Sequence, residues 1–130
     1  MVIDTSAIVA ILLGEPEDAA FAKAITTAST RVMSAVSWVE CSMVMGGRQG
    51  AAGLADLDRL ITRARIEVMP VQLRHAEFAR HAFLRFGRGR HPARLNCGDC
   101  FAYALAKATN EPLLFKGNDF GLTDIHTVAI

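Results

Sequence analysis

The sequence predicts an α/β domain in which a central parallel sheet of four to five strands carries helices on both faces. Three observations lead there. Short β-branched or apolar runs recur at 1–4, 31–34, 66–71, 113–115 and, more weakly, 126–130. One or two helical stretches separate the stronger runs, the arrangement that builds a parallel sheet. The 130 residues are 52% apolar and 21% charged, so residues 1–130 suit one domain with a buried core rather than a disordered chain.

Each element has a local reason. The run Met1–Asp4 reads as a buried strand, after which Thr5 or Ser6 can cap a helix that stops at Gly14. Pro16 opens the next helix, in which Phe21 and Ile25 form one apolar stripe among alanines. After the strand Arg31–Ser34, a helix from Ala35 to Val44 is expected to end at Gly46-Gly47, with G-G-R-Q-G-A-A-G marking a break. Leu54, Leu57, Leu60 and Ile61 then resume helical spacing. Ile66–Val71 is the third strand and 73–86 an amphipathic helix; 87–95, with Gly87, Gly89 and Pro92, reads as a loop. A helix over Gly98–Ala108 leads to the fourth strand, Leu113–Phe115, and His126–Ile130 is a candidate fifth. Trp38, Met43, Met45 and Met69 are expected in the core or a subunit interface.

Composition removes several classes. Three cysteines are too few for a disulfide scaffold and suit a reducing cytoplasm. The apolar opening lacks a positive leader and carries Asp4, unlike a signal peptide, and no apolar run reaches the ~20 residues of a membrane span. A cytoplasmic protein without membrane association is expected. Fourteen Lys and Arg against thirteen Asp and Glu leave the total charge uninformative at +1.

Placement of the charges says more. Asp4 closes the first strand, where open α/β sheets line a ligand crevice, although it can equally cap a helix. Glu40 falls within the apolar arc of its helix, where a carboxylate must reach water, pair or bind a cation. Asp99 lies in the first turn of a helix, favoured there by the helix dipole alone. Asp119 follows the last strong strand and suits a turn. Taken together, two acids follow parallel strands, one opens a helix and one lies on a helix face, positions that can converge on one sheet edge. Four clustered carboxylates could not all remain ionised without a hard divalent cation, and oxygen-only ligands suit Mg2+ or Mn2+. Such clusters position a metal-activated water for attack on phosphorus.

Setting those four aside leaves nine acids against fourteen bases. Arg80, Arg85, Arg88, Arg90 and Arg94 follow one another without an intervening acid, a run that can track a phosphate backbone or form a solvated face.

The segments V-I-D-T-S-A, W-V-E, L-N-C-G-D-C-F-A-Y-A-L-A and L-L-F-K-G-N-D-F-G-L-T-D-I resemble a PIN domain, specifically the VapC-type ribonuclease toxins of type II toxin–antitoxin systems. The resemblance spans essentially the whole chain and implies a three-layer α/β/α fold and a Mg2+-dependent endoribonuclease. It places Asp4 and Asp99 as principal metal ligands with Glu40 and Asp119 supporting them. Ser6 and Thr5 would orient water or phosphate. Many PIN domains carry another acid where Gly117 stands here, so Asn118 is a candidate contributor beside Asp119. Arg85, Arg88, Arg90 and Arg94 would hold flanking RNA. The resemblance further implies a homodimer, a cognate VapB-type antitoxin that blocks the acidic groove, and a higher toxin–antitoxin assembly.

Competing readings are a D-x-D phosphatase, disfavoured by Ser6 at the second position, and thiol or zinc chemistry at Cys97 and Cys100. A non-catalytic RNA-binding or regulatory module is the main alternative to the enzyme.

Overall fold

The computed structural model describes residues 1–130. Four short parallel strands, β1 (Val2–Ile3), β2 (Val32–Ser34), β3 (Glu67–Met69) and β4 (Leu113–Leu114), form one sheet in the order β3-β2-β1-β4. The fifth candidate shrinks to a single bridge between Leu113 and Thr127.

Strand alternation divides the core in two. Val2, Val32 and Leu113 point into a cluster with the helices α4 (Leu73–Phe86) and α5 (Cys97–Thr109). Their neighbours Ile3, Met33 and Leu114 point the other way, towards α1 (Thr5–Leu12), α2 (Asp18–Thr27) and α3 (Ala35–Arg63). Successive side chains of a strand face opposite sides, so these dipeptides suffice to make a sheet buried on both faces. The three-layer α/β/α arrangement follows. No helix is long and apolar enough to cross a membrane.

Asp4, rather than Thr5 or Ser6, caps α1, its side chain accepting from the Ser6 N–H, which bears out the cap reading of Asp4. The start of the second helix differs from the sequence expectation. The chain turns at Gly14 (φ 63°), and α2 begins at Asp18, two residues after Pro16.

The larger correction concerns α3. Gly46 and Gly47 are helical, and the break lies at Gly50 (φ 59°, ψ −144°), a backbone conformation that favours glycine. Beyond the kink the second arm doubles back closely enough that a Cβ on buried Gly53 would lie 2.3 Å from the Met45 carbonyl oxygen. A Cβ on Gly47 would meet nothing within 4 Å. Opposite outcomes are therefore expected. Gly47→Ala gains the helix propensity difference and stabilises by about 0.5–1 kcal/mol. Gly53→Ala gains the same but forces backbone apart, and overpacking of about 1–3 kcal/mol wins. Urea midpoints moving in the same direction for both variants would refute this account of the kink.

The 87–95 loop is tied at its base by a bridge between Gly87 and Leu95. Of the residues expected in the core or a subunit interface, Met45 is fully buried, whereas Trp38 is 38% and Met43 72% exposed and so lie outside the core.

Candidate active site

The sheet order creates a switch point. From β1 the chain moves outward on one side through β2 and β3, while β4 returns to β1's other edge. Crevices open outside the carboxyl ends of strands at such points. Asp4 stands there, its N–H donating to Leu114 O at 2.9 Å, which pins its backbone between β1 and β4.

A cleft of about 400 Å³ is lined by Asp4, Glu40, Asp99, Asn96, Arg48 and Lys116, among others. Three of the four predicted carboxylates are thus brought together from the end of β1, the middle of α3 and the first turn of α5. Asp119 is not in the lining; it is exposed and precedes a short 3-10 turn, Phe120–Leu122. Its charge nonetheless contributes to raising the Asp99 pKa. Asn118 is likewise exposed, and its carbonyl accepts from the Gly121 N–H.

Each central carboxylate is oriented by its own partners. Asp4 is 4% exposed, and its Oδ2 accepts from the Ser6 N–H at 3.0 Å and the Ser6 hydroxyl at 2.6 Å. The same hydroxyl accepts from the Lys116 N–H at 2.9 Å, coupling Asp4 to the segment after β4. The Thr5 hydroxyl lies 3.0 Å from Glu40 Oε1 and directs that carboxylate. Asp99 and Asn96 form a reciprocal cap: the Asp99 N–H donates to Asn96 Oδ1 at 2.9 Å, and the Asn96 N–H donates to Asp99 Oδ2 at 3.0 Å. Thr5 and Ser6 therefore act on carboxylates.

Gly98 was not singled out in the sequence, although it follows Cys97 in the same motif. A Cβ there would fall 2.1–2.2 Å from the Glu40 carboxyl atoms, so only glycine lets Glu40 pack against the start of α5. Arg48 was also missed. It lies eight residues beyond Glu40, on the same helical stripe, which the Gly46-Gly47 break was expected to interrupt.

Crowding changes the electrostatics. Burial raises the Asp4 carboxyl above its ordinary range, with Glu40's charge adding to it and the Ser6 bonds opposing it. Burial, followed by the charge of Asp99, raises Glu40. Asp99 is pushed up to about 6 by burial, with Asp4 and Asp119 reinforcing the shift. Because the folded pKa exceeds the unfolded value near 3.8, the folded state holds the proton more tightly. Asp99 ionisation thus costs stability progressively as pH rises from about 4 through about 6. Asp99→Asn should raise the melting temperature at pH 7.5 in EDTA by roughly 3–5 °C, about 1 kcal/mol after solvent screening, and the gain should vanish near pH 4. A gain independent of pH would contradict the assignment.

No three His, Cys, Asp or Glu side chains lie close enough together here to hold one ion. The donor chemistry still fits a hard divalent cation: Asp4, Glu40 and Asp99 line the cleft with raised pKa values that a cation would relieve, beside a fourth lining carboxylate, Glu15, that is engaged by Lys116. The chain matches the PIN domain model over residues 1–125. The chain belongs to the PIN-domain family. This PIN domain is 47% identical to Ribonuclease VapC30 of Mycobacterium tuberculosis over 130 residues, covering 100% of this chain and 99% of that one. Its fold is similar to that of Mycobacterium tuberculosis VapC20, a sarcin-ricin loop cleaving toxin, with TM-score 0.79 and 14% identity over 98% of this chain and 97% of the other. A toxin–antitoxin complex from Klebsiella pneumoniae matches with TM-score 0.69 and 17% identity over 98% of each chain.

The basic run of this PIN domain is only partly available. Arg85 pairs with Asp124 at 3.2 Å and stacks on Phe86, and Arg90 lies over Phe83. Arg88 and Arg94 are exposed and take part in no ion pair. Asp124 is itself a hub, also accepting from the Tyr103 hydroxyl at 2.5 Å and from Lys107 at 3.0 Å. Tyr103 is thereby accounted for as a structural residue.

The thiols do not suit the competing chemistry. Cys97 is exposed and Cys100 buried, and burial pushes the Cys100 thiol up to about 11. Cys41 packs on the opposite side of the sheet from Cys100, so the three cannot share a zinc ion. The histidines form no ligand group; His75 instead completes the cap of α4, its Nδ1 accepting from the Gln72 N–H at 3.3 Å.

Proposed function

We propose that this PIN domain is a Mg2+-dependent endoribonuclease, the toxin of a type II toxin–antitoxin pair. The convergence of Asp4, Glu40 and Asp99 in one cleft at the sheet's switch point carries the reading. The identity to a curated VapC ribonuclease over the whole chain supports it. Mn2+ would serve in place of Mg2+, since both are hard ions that take carboxylate oxygens.

Asp4 and Asp99 are the principal ligands in this reading, with Glu40 supporting them and Asp119 acting through its charge on Asp99. Asn118 is a lesser candidate at the same edge. When bound, the cation lowers the pKa of water and stabilises charge on the attacked phosphate. The chain's own task is to hold the acids against their mutual repulsion. Ser6 fixes Asp4, Thr5 fixes Glu40, and Asn96 fixes Asp99. Attack by water, rather than by the RNA 2′-hydroxyl, leaves a 5′-phosphate and a 3′-hydroxyl. Arg88 and Arg94 remain candidates for flanking RNA; Arg85 and Arg90 would have to leave their present contacts.

The likeness to a toxin–antitoxin complex supports a cognate VapB-type antitoxin as partner, and in this reading it would occupy the same cleft. A homodimer, and its place in a larger assembly with that antitoxin, belong to the same proposal, as do a cytoplasmic location and a single domain over residues 1–130.

The deciding experiment incubates a total RNA pool with purified, antitoxin-free protein in Mg2+, in Mn2+ and in EDTA, and sequences the new 5′ ends. Discrete cuts that vanish in EDTA are expected. A folded, metal-loaded protein that binds RNA without cutting it would instead be the non-catalytic module.

A further inference from the structure

We propose that Arg48 forms a phosphate-binding subsite that carries the RNA strand out of the cleft along α3. The inference rests on the ribonuclease reading and gives the strand a different path from the 85–94 segment.

Three observations support it. Glu40, Val44 and Arg48 are spaced four apart on α3 and all line the cleft, so one helix stripe runs from the carboxylates to the guanidinium. Eight residues of helix at 1.5 Å each place Arg48 about 12 Å along the axis from Glu40, far enough to meet a phosphate beyond the scissile one.

Arg48 is exposed and its side chain takes part in no ion pair. The other cation of the lining, Lys116, is engaged by Glu15 and by Glu17.

The flank at the next residue is open: a Cβ at Gly47 would meet nothing within 4 Å. The kink at Gly50 ends this arm of α3 two residues later and leaves Arg48 near its tip.

The chemistry matches the ligand. A guanidinium offers paired N–H donors to a phosphodiester's two free oxygens. The subsite would take the sugar–phosphate backbone without reading its bases.

The test uses full-length protein carrying Asp4→Asn, in EDTA, with a fluorescent single-stranded RNA of mixed sequence and anisotropy read from 50 to 200 mM salt. Adding Arg48→Gln should weaken binding about fivefold at 0.1 M salt and flatten the log–log salt slope by about 0.7, the signature of one lost contact to a single strand. Arg48→Lys should keep the slope. In cleavage by the protein with Asp4 restored, Arg48→Gln should raise KM and leave kcat within about twofold.

Unchanged affinity and slope with Arg48→Gln would overturn the subsite while leaving the nuclease reading intact. Weakened binding by Arg48→Gln in a protein that never cuts RNA would keep the subsite and remove the nuclease. Absence of any RNA binding by the Asp4→Asn protein would overturn the subsite as well.

Discussion

Asp4→Asn is expected to slow RNA cleavage by at least about 100-fold while leaving the protein folded. In the proposed reading Asp4 is a metal ligand, and its loss should exceed the roughly 10–100-fold cost of losing a residue that merely orients one. The fold should survive because the buried carboxylate is a burden on it: burial raises the Asp4 pKa, and a neutral amide removes that cost. An asparagine side-chain oxygen can still accept from the Ser6 N–H and hydroxyl, so the start of α1 keeps its cap. Sequencing of new 5′ ends, beside a melting curve no lower than that of the parent protein, checks both halves. Wild-type cutting by Asp4→Asn and by Asp99→Asn would remove the cleft as the catalytic site.

Gly98→Ala is expected to damage activity far more than stability. The new methyl group would lie 2.1–2.2 Å from the Glu40 carboxyl atoms, and that carboxylate, at the end of a flexible side chain, is what must move. The swing costs the 3.0 Å bond from Thr5, about 1 kcal/mol, and alanine recovers a similar amount as the better helix former. Stability should therefore change by less than about 1 kcal/mol, whereas cleavage should fall roughly 10–100-fold as a supporting carboxylate leaves the cleft. A double-mutant cycle makes this specific. With Glu40→Gln already present, Gly98→Ala should add little, because both changes remove the same group. Full additivity of the two losses would show that Gly98 acts through some route other than Glu40.

Much of this was readable in the chain. The dipeptides Val2-Ile3 and Leu113-Leu114 each supply one side chain to either face, so the parallel sheet with helices on both sides followed from local sequence and the period of the strand. Asp4, Glu40 and Asp99 stood out for a related reason: each sits where its own element gives an acid more than one role, and the elements point towards one edge. The positions of glycines within α3 were less legible. Gly46-Gly47 looks like a stop, yet helix propensity differs by only about 1 kcal/mol between glycine and alanine, and packing of the two arms overrides it. The break fell instead at Gly50, where the kink brings buried Gly53 against Met45.

The sequence by itself determined the architecture, the four candidate acids and the family motifs, because these depend on periodicity and on residue type at element ends. Only the tertiary structure decided which charges are free and which are spent. It tied Arg85 to Asp124 and Lys116 to Glu15 and Glu17, left Arg48 unpaired beside the carboxylates, placed Asp119 outside the lining, and set Gly98 against Glu40. Those pairings join residues far apart in the chain, and an ion pair or a contact at van der Waals range depends on differences of an ångström or less between packed elements. Local periodicity carries no information on that scale.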